Sequence, residues 1–395
     1  MFFLRRGFMK IKVSFLLVLM FGLVACSGAD RTYQGPGSRW TVVIQGENFT
    51  MREFETSSST EPRLVIQGTT TLNETNRFRS FTVTSAEGEN GPETSDTAFG
   101  LELEGTALFV IPFGSSTPLV MTGAGACPNG SFAANWVVTK PRLDDGDFDE
   151  ENFNGDGVGT AVYTPGDRNT ENFLVRSAGI VDGVLQAAEE GQPFRPSEDE
   201  EDENPGFSMS NCNAGLLSVA VAGEEEGEDE IFDMYFTSTG NIVVKFPESE
   251  NSSDQIIFGI PRAASPITAA NLEGTYSVLV YQGGAAADLS LATLEPGVLS
   301  FDDSGDGSLR LLTDIEENTA AAEDLGALND LTVTDDNEAA LPNGTLRFTL
   351  AGGDLVEGQI SCSLNPAATP RAIACYGFTG TAPNREPITI LGHSR

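Results

Sequence analysis

The chain has 395 residues, 58 acidic against 22 basic, and a formal net charge of -36 at neutral pH. That balance argues against nucleic-acid binding, which needs clustered Lys and Arg, and it gives the body no electrostatic affinity for anionic headgroups. The length exceeds one ordinary core, so two or three domains are expected.

At the N-terminus, Arg5, Arg6, Lys10 and Lys12 precede an apolar run from Val13 to Ala25 that is interrupted only by Ser14 and Gly22. A charged segment followed by about 13 apolar residues has the form of a secretory signal. As a helix the run would reach about 20 Å, short of the roughly 30 Å hydrocarbon core.

The run ends in Leu23-Val24-Ala25-Cys26, which resembles the lipobox of bacterial lipoproteins. An ordinary secretory signal that happens to contain a cysteine is the plain alternative. The resemblance covers residues 1–26. It implies that 1–25 are a signal peptide and that Cys26 is acylated with palmitate-type chains, so that the lipid bilayer is the first partner. In Gram-negative lipoproteins a residue other than Asp after the cysteine, here Ser27, implies the outer membrane. Two or more acyl chains anchor stably where one is marginal. Loss of 1–25 removes four basic residues and no acidic one, taking the formal charge from -36 to -40.

Residues 26–36 read as a tether and 37–126 as an N-terminal β domain. A middle β domain over 127–262, a linker over 263–270 and a C-terminal β domain over 271–395 follow. The texture is mainly β: Trp40–Ile44, Arg63–Ile66, Phe78–Val83, Ala107–Ile111, Asn241–Lys245 and Thr345–Leu350 are short, rich in β-branched or aromatic residues, and bounded by turn formers. Such spacing predicts sandwiches or barrels. One helix is expected over Ile315–Leu328, with Asp314 as N-cap and Glu317 at N3.

Internal similarity suggests that the last two domains are a duplicated unit. Gly130-Ser-Phe parallels Gly274-Thr-Tyr, Phe153-Asn-Gly-Asp-Gly parallels Phe301-Asp-Asp-Ser-Gly-Asp-Gly, and Ile256–Arg262 parallels Ile390–Arg395. Gly37-Ser-Arg-Trp40 aligns with these as the opening of a third, shorter and more divergent unit. These glycine-aromatic openings are also a little like the G-x-W strand of lipocalin-type barrels, which implies a ligand-holding barrel as a minority reading.

Beyond Cys26 stand Cys127, Cys212, Cys362 and Cys375, an even number in an oxidising compartment. Three pairings exist. Cys362 and Cys375 each lie in period-2 phase with apolar neighbours, which favours a short bridge between them and leaves Cys127 with Cys212. A metal site is disfavoured, since no CxxC or nearby histidine accompanies them.

The acidic loops offer calcium candidates in Asp145, Asp147, Asp149, Asn154 and Asp156, and fewer in Asp302–Asp306. Neither set places the Glu that an EF-hand needs at position 12, and Asp-Gly before a strand is first of all a tight turn. No cofactor is therefore expected, calcium being the alternative. The runs Glu198–Glu203 and Glu224–Glu230 read as solvated surface, which a basic partner could use.

Catalytic chemistry finds little support. His393 is the chain's one histidine and reads as a surface residue. No GxSxG, P-loop or dinucleotide fingerprint is present. The favoured reading is a non-enzymatic envelope lipoprotein with a binding or structural role toward an envelope or extracellular protein or a glycan. The alternatives are a carrier of an apolar or polysaccharide ligand, and a carboxylate-dependent hydrolase. Changing Cys26→Ser is expected to release the protein from membranes, and fractionation checks it: continued sedimentation of the variant with membranes would refute the anchor.

Overall fold

The protein, seen in a computed structural model, is described from residue 31 onward apart from loop segments, the longest being 139–147, 164–172, 194–206, 222–229, 246–255 and 283–292. It is nearly all β, as the short alternating stretches predict. The one helix among the described residues, Ala269–Leu272, is four residues long.

The first unit contains β1 (Arg31–Gln34), β2 (Trp40–Gln45), β3 (Asn48–Glu53), β4 (Leu64–Leu72), β5 (Phe78–Gly88), β6 (Thr97–Leu103), β7 (Ala107–Val110) and β8 (Leu119–Gly123). Each strand pairs antiparallel with the next, and β8 returns to β1 to close the barrel. Closure removes the exposed edges that an open sheet would present. β1 lies within the stretch 26–36 expected to be a tether. A four-residue strand is too brief for alternation to announce it.

The lumen of this barrel is filled by Tyr33, Val42, Ile44, Phe49, Met51, Leu64, Ile66, Phe81, Val83 and Met121. Phe49 and Phe81 meet edge to face with ring centroids 5.1 Å apart. A bulge in the β4–β5 ladder falls at Gln67/Gly68. Gly68 is required there, because a Cβ would stand 2.0 Å from the Thr82 carbonyl oxygen.

The second unit runs through β9 (Phe132–Val138), β10 (Phe148–Asp149), β11 (Asn152–Phe153), β12 (Gly155–Tyr163), β13 (Phe173–Val181), β14 (Val184–Leu185), β15 (Gln192–Pro193), β16 (Phe207–Met209), β17 (Leu216–Val221), β18 (Glu230–Phe236), β19 (Ile242–Lys245) and β20 (Ile256–Pro261). Its first strand, β9, pairs with both β12 and the last strand, β20. From there the sheet meanders outward to β14 on one side and β16 on the other.

The third unit comprises β21 (Gly274–Gln282), β22 (Thr293–Phe301), β23 (Gly307–Asp314), β24 (Thr319–Ala320), β25 (Gly326–Thr332), β26 (Thr345–Ala351), β27 (Gly358–Leu364), β28 (Ala372–Thr379) and β29 (Glu386–Ser394). The first strand again pairs with the last, β21 with β29, and the β22–β23 and β23–β25 ladders complete a closed circuit of eight strands with β24 outside it. The lumen holds Tyr276, Val278, Leu299, Phe301, Leu309, Leu328, Leu346, Phe348, Leu350, Ile360 and Ile390 among others. Ala263 and Ile267, in the segment read as linker, belong to the same core, and Leu272 of the helix is fully buried against it.

The similarities between the last two units are only partly equivalent in space. Phe132 of the first opening and Gly274 of the second begin first strands, and Ile256–Arg262 and Ile390–Arg395 both fall on last strands. The Gly-Asp-Gly stretches differ: one opens the second strand of the meander, β12, the other the third, β23. Trp40 opens β2, not a first strand.

The helix expected over 315–328 is not formed. Asp314 does cap, accepting the Glu316 and Glu317 N–H groups at 2.8 and 2.9 Å, but the turn goes no further. The chain reverses into β24, and Gly326 begins β25, because two neighbouring strands offer ladders that outweigh local propensity.

Both cysteine pairs are bridged. Cys362 stands directly opposite Cys375 across β27–β28, with both buried in the third lumen. Cys127 follows the first barrel and joins Cys212 between β16 and β17, across 85 residues, so this bridge fastens the exit of the first unit to the second.

One end of the first lumen is polar. Glu102 is fully buried and accepts Arg31 Nη1 and Tyr33 Oη at 2.5 Å each, with Arg79 Nε and Nη2 at 2.9 and 2.6 Å on its other oxygen. Burial raises the carboxyl pKa, but the Arg79 charge and the hydrogen bonds from Tyr33, Arg31 and Arg79 outweigh it, so the pKa is lowered and Glu102 is ionised. Replacing Glu102→Ala leaves the buried Arg79 charge uncompensated and is expected to destabilise by about 3–5 kcal/mol in chemical denaturation. The double variant Arg79→Met/Glu102→Leu should lose markedly less; equal losses would sink this account.

Candidate functional site

Four regions bear on function, namely the two closed lumens, the junction between units, and a polar groove on the third barrel. The lumens are occupied by the barrels' own side chains, as described above.

The junction is apolar at its centre. Phe78, Leu101 and Leu103 of the first unit, Val137, Tyr235, Val243, Phe258 and Ile260 of the second, and Leu279, Leu312, Ala372, Ala374, Tyr376 and Leu391 of the third form one buried cluster. In the two barrels these are outward-phase residues: Leu101 and Leu103 flank inward Glu102, and Leu279 alternates with lumen residues Val278 and Val280. A hydrogen-bonded clamp accompanies the cluster. Asn73 Nδ2 donates to the Ile315 and Glu316 carbonyls at 3.0 and 2.9 Å, and Asn76 Nδ2 to Ile315 at 2.7 Å. The turn between β4 and β5 therefore grips the turn after β23.

His393 belongs to this junction and is 2% exposed, which corrects the expectation of a surface residue. It occupies an outward position of β29, and β29 and β21 pack against β6 of the first barrel. Nδ1 lies 2.9 Å from the Ser394 carbonyl oxygen, and Nε2 has no hydrogen-bond partner. Burial depresses the imidazole pKa, assisted by the Arg77 and Arg395 charges and opposed by the Ser394 and Glu102 backbones.

The groove has a volume of about 190 Å³ and is lined by Asp330, Thr332, Thr334, Arg347, Phe348, Thr349 and Gln359. It lies at a bulge, where the β25–β26 ladder skips between Asn329/Thr349 and Thr332/Arg347. Asp330 sits in the left-handed region there, φ 56°. Arg347 and Thr349 are outward neighbours of the lumen residues Leu346, Phe348 and Leu350. Arg347 is only 6% exposed, and its Nη2 donates to Gln359 Oε1 at 2.8 Å. The Thr332 and Thr334 hydroxyls are 3.0 Å apart. Guanidinium, carboxylate, amide and hydroxyl groups thus converge on one small concavity, an arrangement suited to hydrogen-bonding a polar ligand.

The residues singled out in the sequence do not gather here. Cys26, Asp145, Asp147 and Asn154 lie outside the described residues, and Asp149 and Asp156 fall on β10 and β12. Among the described residues no group of three or more His, Cys, Asp or Glu could hold a metal ion. Asp302 is a turn residue: its Oδ1 accepts the Ser304 N–H, the Ser304 hydroxyl and the Asp306 N–H at 2.9, 2.7 and 3.0 Å, and these bonds lower its pKa. The carboxylates buried among the described residues, Glu53 and Glu102, are both held by arginine, Glu53 by Arg63. An ionised, arginine-bound Glu102 is the opposite of a general acid. No helix among the described residues is long and apolar enough to cross a membrane.

By fold, this is an all-β protein of linked up-and-down meanders, two of them closed eight-stranded barrels. No protein-family description matches the chain, and no curated protein matches it in sequence. Similar solved structures include a protein of unknown function from the DUF3598 family of Nostoc punctiforme, with 10% identity over 67% of this chain and 96% of the other at a TM-score of 0.25. Transferrin binding protein B from Haemophilus parasuis, as a double mutant, has 9% identity over 91% of this chain and 66% of that one at a TM-score of 0.24. Likeness at this level assigns no function.

His393 sets an acid limit on the junction. Its folded pKa lies below the roughly 6.5 of an exposed imidazole, so the unfolded chain takes up the proton first as pH falls. Its contribution is complete above about pH 6.5 and is lost progressively below it. Denaturation midpoints measured from about pH 7.5 to 5.5 should fall for the native protein and stay flatter for His393→Asn. Parallel curves would exclude the histidine as the cause.

Proposed function

We propose that the chain is a non-enzymatic binding protein of the bacterial cell envelope, held to the outer membrane by acylated Cys26 and engaging its partner through the outer walls and loops of its barrels. The observation that carries this reading is the filling of both closed lumens by the barrels' own side chains, Phe49, Met51 and Phe81 in the first and Phe301, Phe348 and Leu350 in the third. A carrier of apolar molecules needs an enclosed cavity, and these interiors are packed as cores. The ion-paired state of Glu102 likewise gives a carboxylate hydrolase no proton donor at that position.

The anchor fits this role physically. A body with a formal charge near -40 is repelled by anionic lipid, so attachment falls to the acyl chains and the body stays in the aqueous phase. The clamp between Asn73, Asn76 and the Ile315 turn, with the bridge from Cys127 to Cys212, holds the units in fixed relation, so loops on different units can present one surface.

Titration with a fluorescent long-chain fatty acid tests where binding occurs. No saturable binding is expected. A saturable site of about one per chain would place a ligand inside a unit and overturn the exterior reading.

A further inference from the structure

We propose that the groove over Arg347 binds a single neutral pyranose ring of a glycan. The inference rests on the exterior-binding role proposed above and gives its ligand a chemical class.

Four features converge on one place. The first is a bulge that opens the wall of an otherwise regular barrel between β25 and β26. The second is Asp330, at φ 56° within that bulge, which brings its carboxylate into the lining of the groove. The third is Arg347, 6% exposed yet lining the groove, although a cation in so acidic a chain could have been left at the surface. The fourth is the set of hydroxyl and amide groups of Thr332, Thr334, Thr349 and Gln359 around it.

Size and charge select the ligand. A volume of about 190 Å³ lies below the roughly 300–1,000 Å³ of sites that enclose drug-sized molecules, which leaves room for one small ring rather than a lipid. Phe348 is the one apolar liner, and its side chain belongs to the lumen, so an apolar ligand gains little. An anion meets the Asp330 carboxylate and the field of a chain at -36. A ring of vicinal hydroxyls instead matches the mixed lining, one hydroxyl donating to Asp330 while a neighbour accepts from Arg347 or a threonine. So shallow a site implies a dissociation constant on the order of millimolar for one ring, strengthened by avidity on a polymer.

The full mature chain is to be titrated by ligand-observed NMR with the methyl glycosides of glucose, galactose and mannose, and in separate arms with glucuronate and inorganic sulfate. Saturable binding of at least one neutral glycoside is expected, weakened tenfold or more by Asp330→Asn. Asparagine keeps the left-handed conformation and the size but removes the charge. Thr332→Val, with unchanged thermal stability, should weaken binding as well, which keeps the test open if one variant misfolds. Binding of none of the neutral glycosides, binding of the anions alone, or undiminished binding in both variants would each overturn the proposal. The fatty-acid titration reads the exterior-binding role separately, so failure of the groove and failure of that role are distinguishable.

Discussion

The structure depends on the apolar junction at which two closed barrels and the open sheet between them in sequence bury parts of their outer faces. An isolated barrel keeps one face of every strand dry and the other wet. Here strands such as β21 are dry on both faces, with Val278 and Val280 toward the lumen and Leu279 and Tyr281 buried on the other side. Each large side chain transferred from water contributes about 1.5–3 kcal/mol, so a cluster of this size holds the units as one body. Polar groups on these doubly buried strands carry the consequences. Burial raises the pKa of Tyr281 to about 12, and its hydroxyl lacks a hydrogen bond; His393 is held toward its neutral form.

The same contact explains why the first barrel has a charged interior at one end. With Leu101 and Leu103 directed outward to the junction, strict alternation turns Glu102 into the lumen. A buried carboxylate is tolerable only with partners, and Arg79, Arg31 and Tyr33 supply them at the end where Arg31 still reaches solvent. Packing between units and electrostatics within one are therefore coupled through a single strand.

The groove arises from a different economy. β26 is an ordinary barrel strand whose outward residues would normally be wet, and beside the bulge in β25 the surface above Arg347 is concave. The barrel supplies rigidity at no expense to the lumen, because Leu346, Phe348 and Leu350 stay in register with the core.

What the sequence determined follows from local chemistry. β-branched and aromatic runs bounded by turn residues specified the all-β class, and period-2 phase placed Cys362 opposite Cys375 because a cross-strand bridge depends only on register. Glycine-aromatic openings marked the first strands β9 and β21, but Gly-Asp-Gly proved to mark a turn at a different point of each meander. What tertiary structure decided concerns the second face of each strand. Leu-Glu-Leu at 101–103 only alternates apolar with acidic, and it is the neighbouring unit that takes Leu101 and Leu103 and leaves Glu102 the lumen face. His393 near the chain end reads as exposed, and only the packing of β29 on β6 buries it. Asp314 reads as a helix cap and caps one turn, since the ladders open to β24 and β25 exist only once the barrel closes. Alternation reveals that a strand has two faces; which of them meets another part of the protein is a property of contacts distant in sequence.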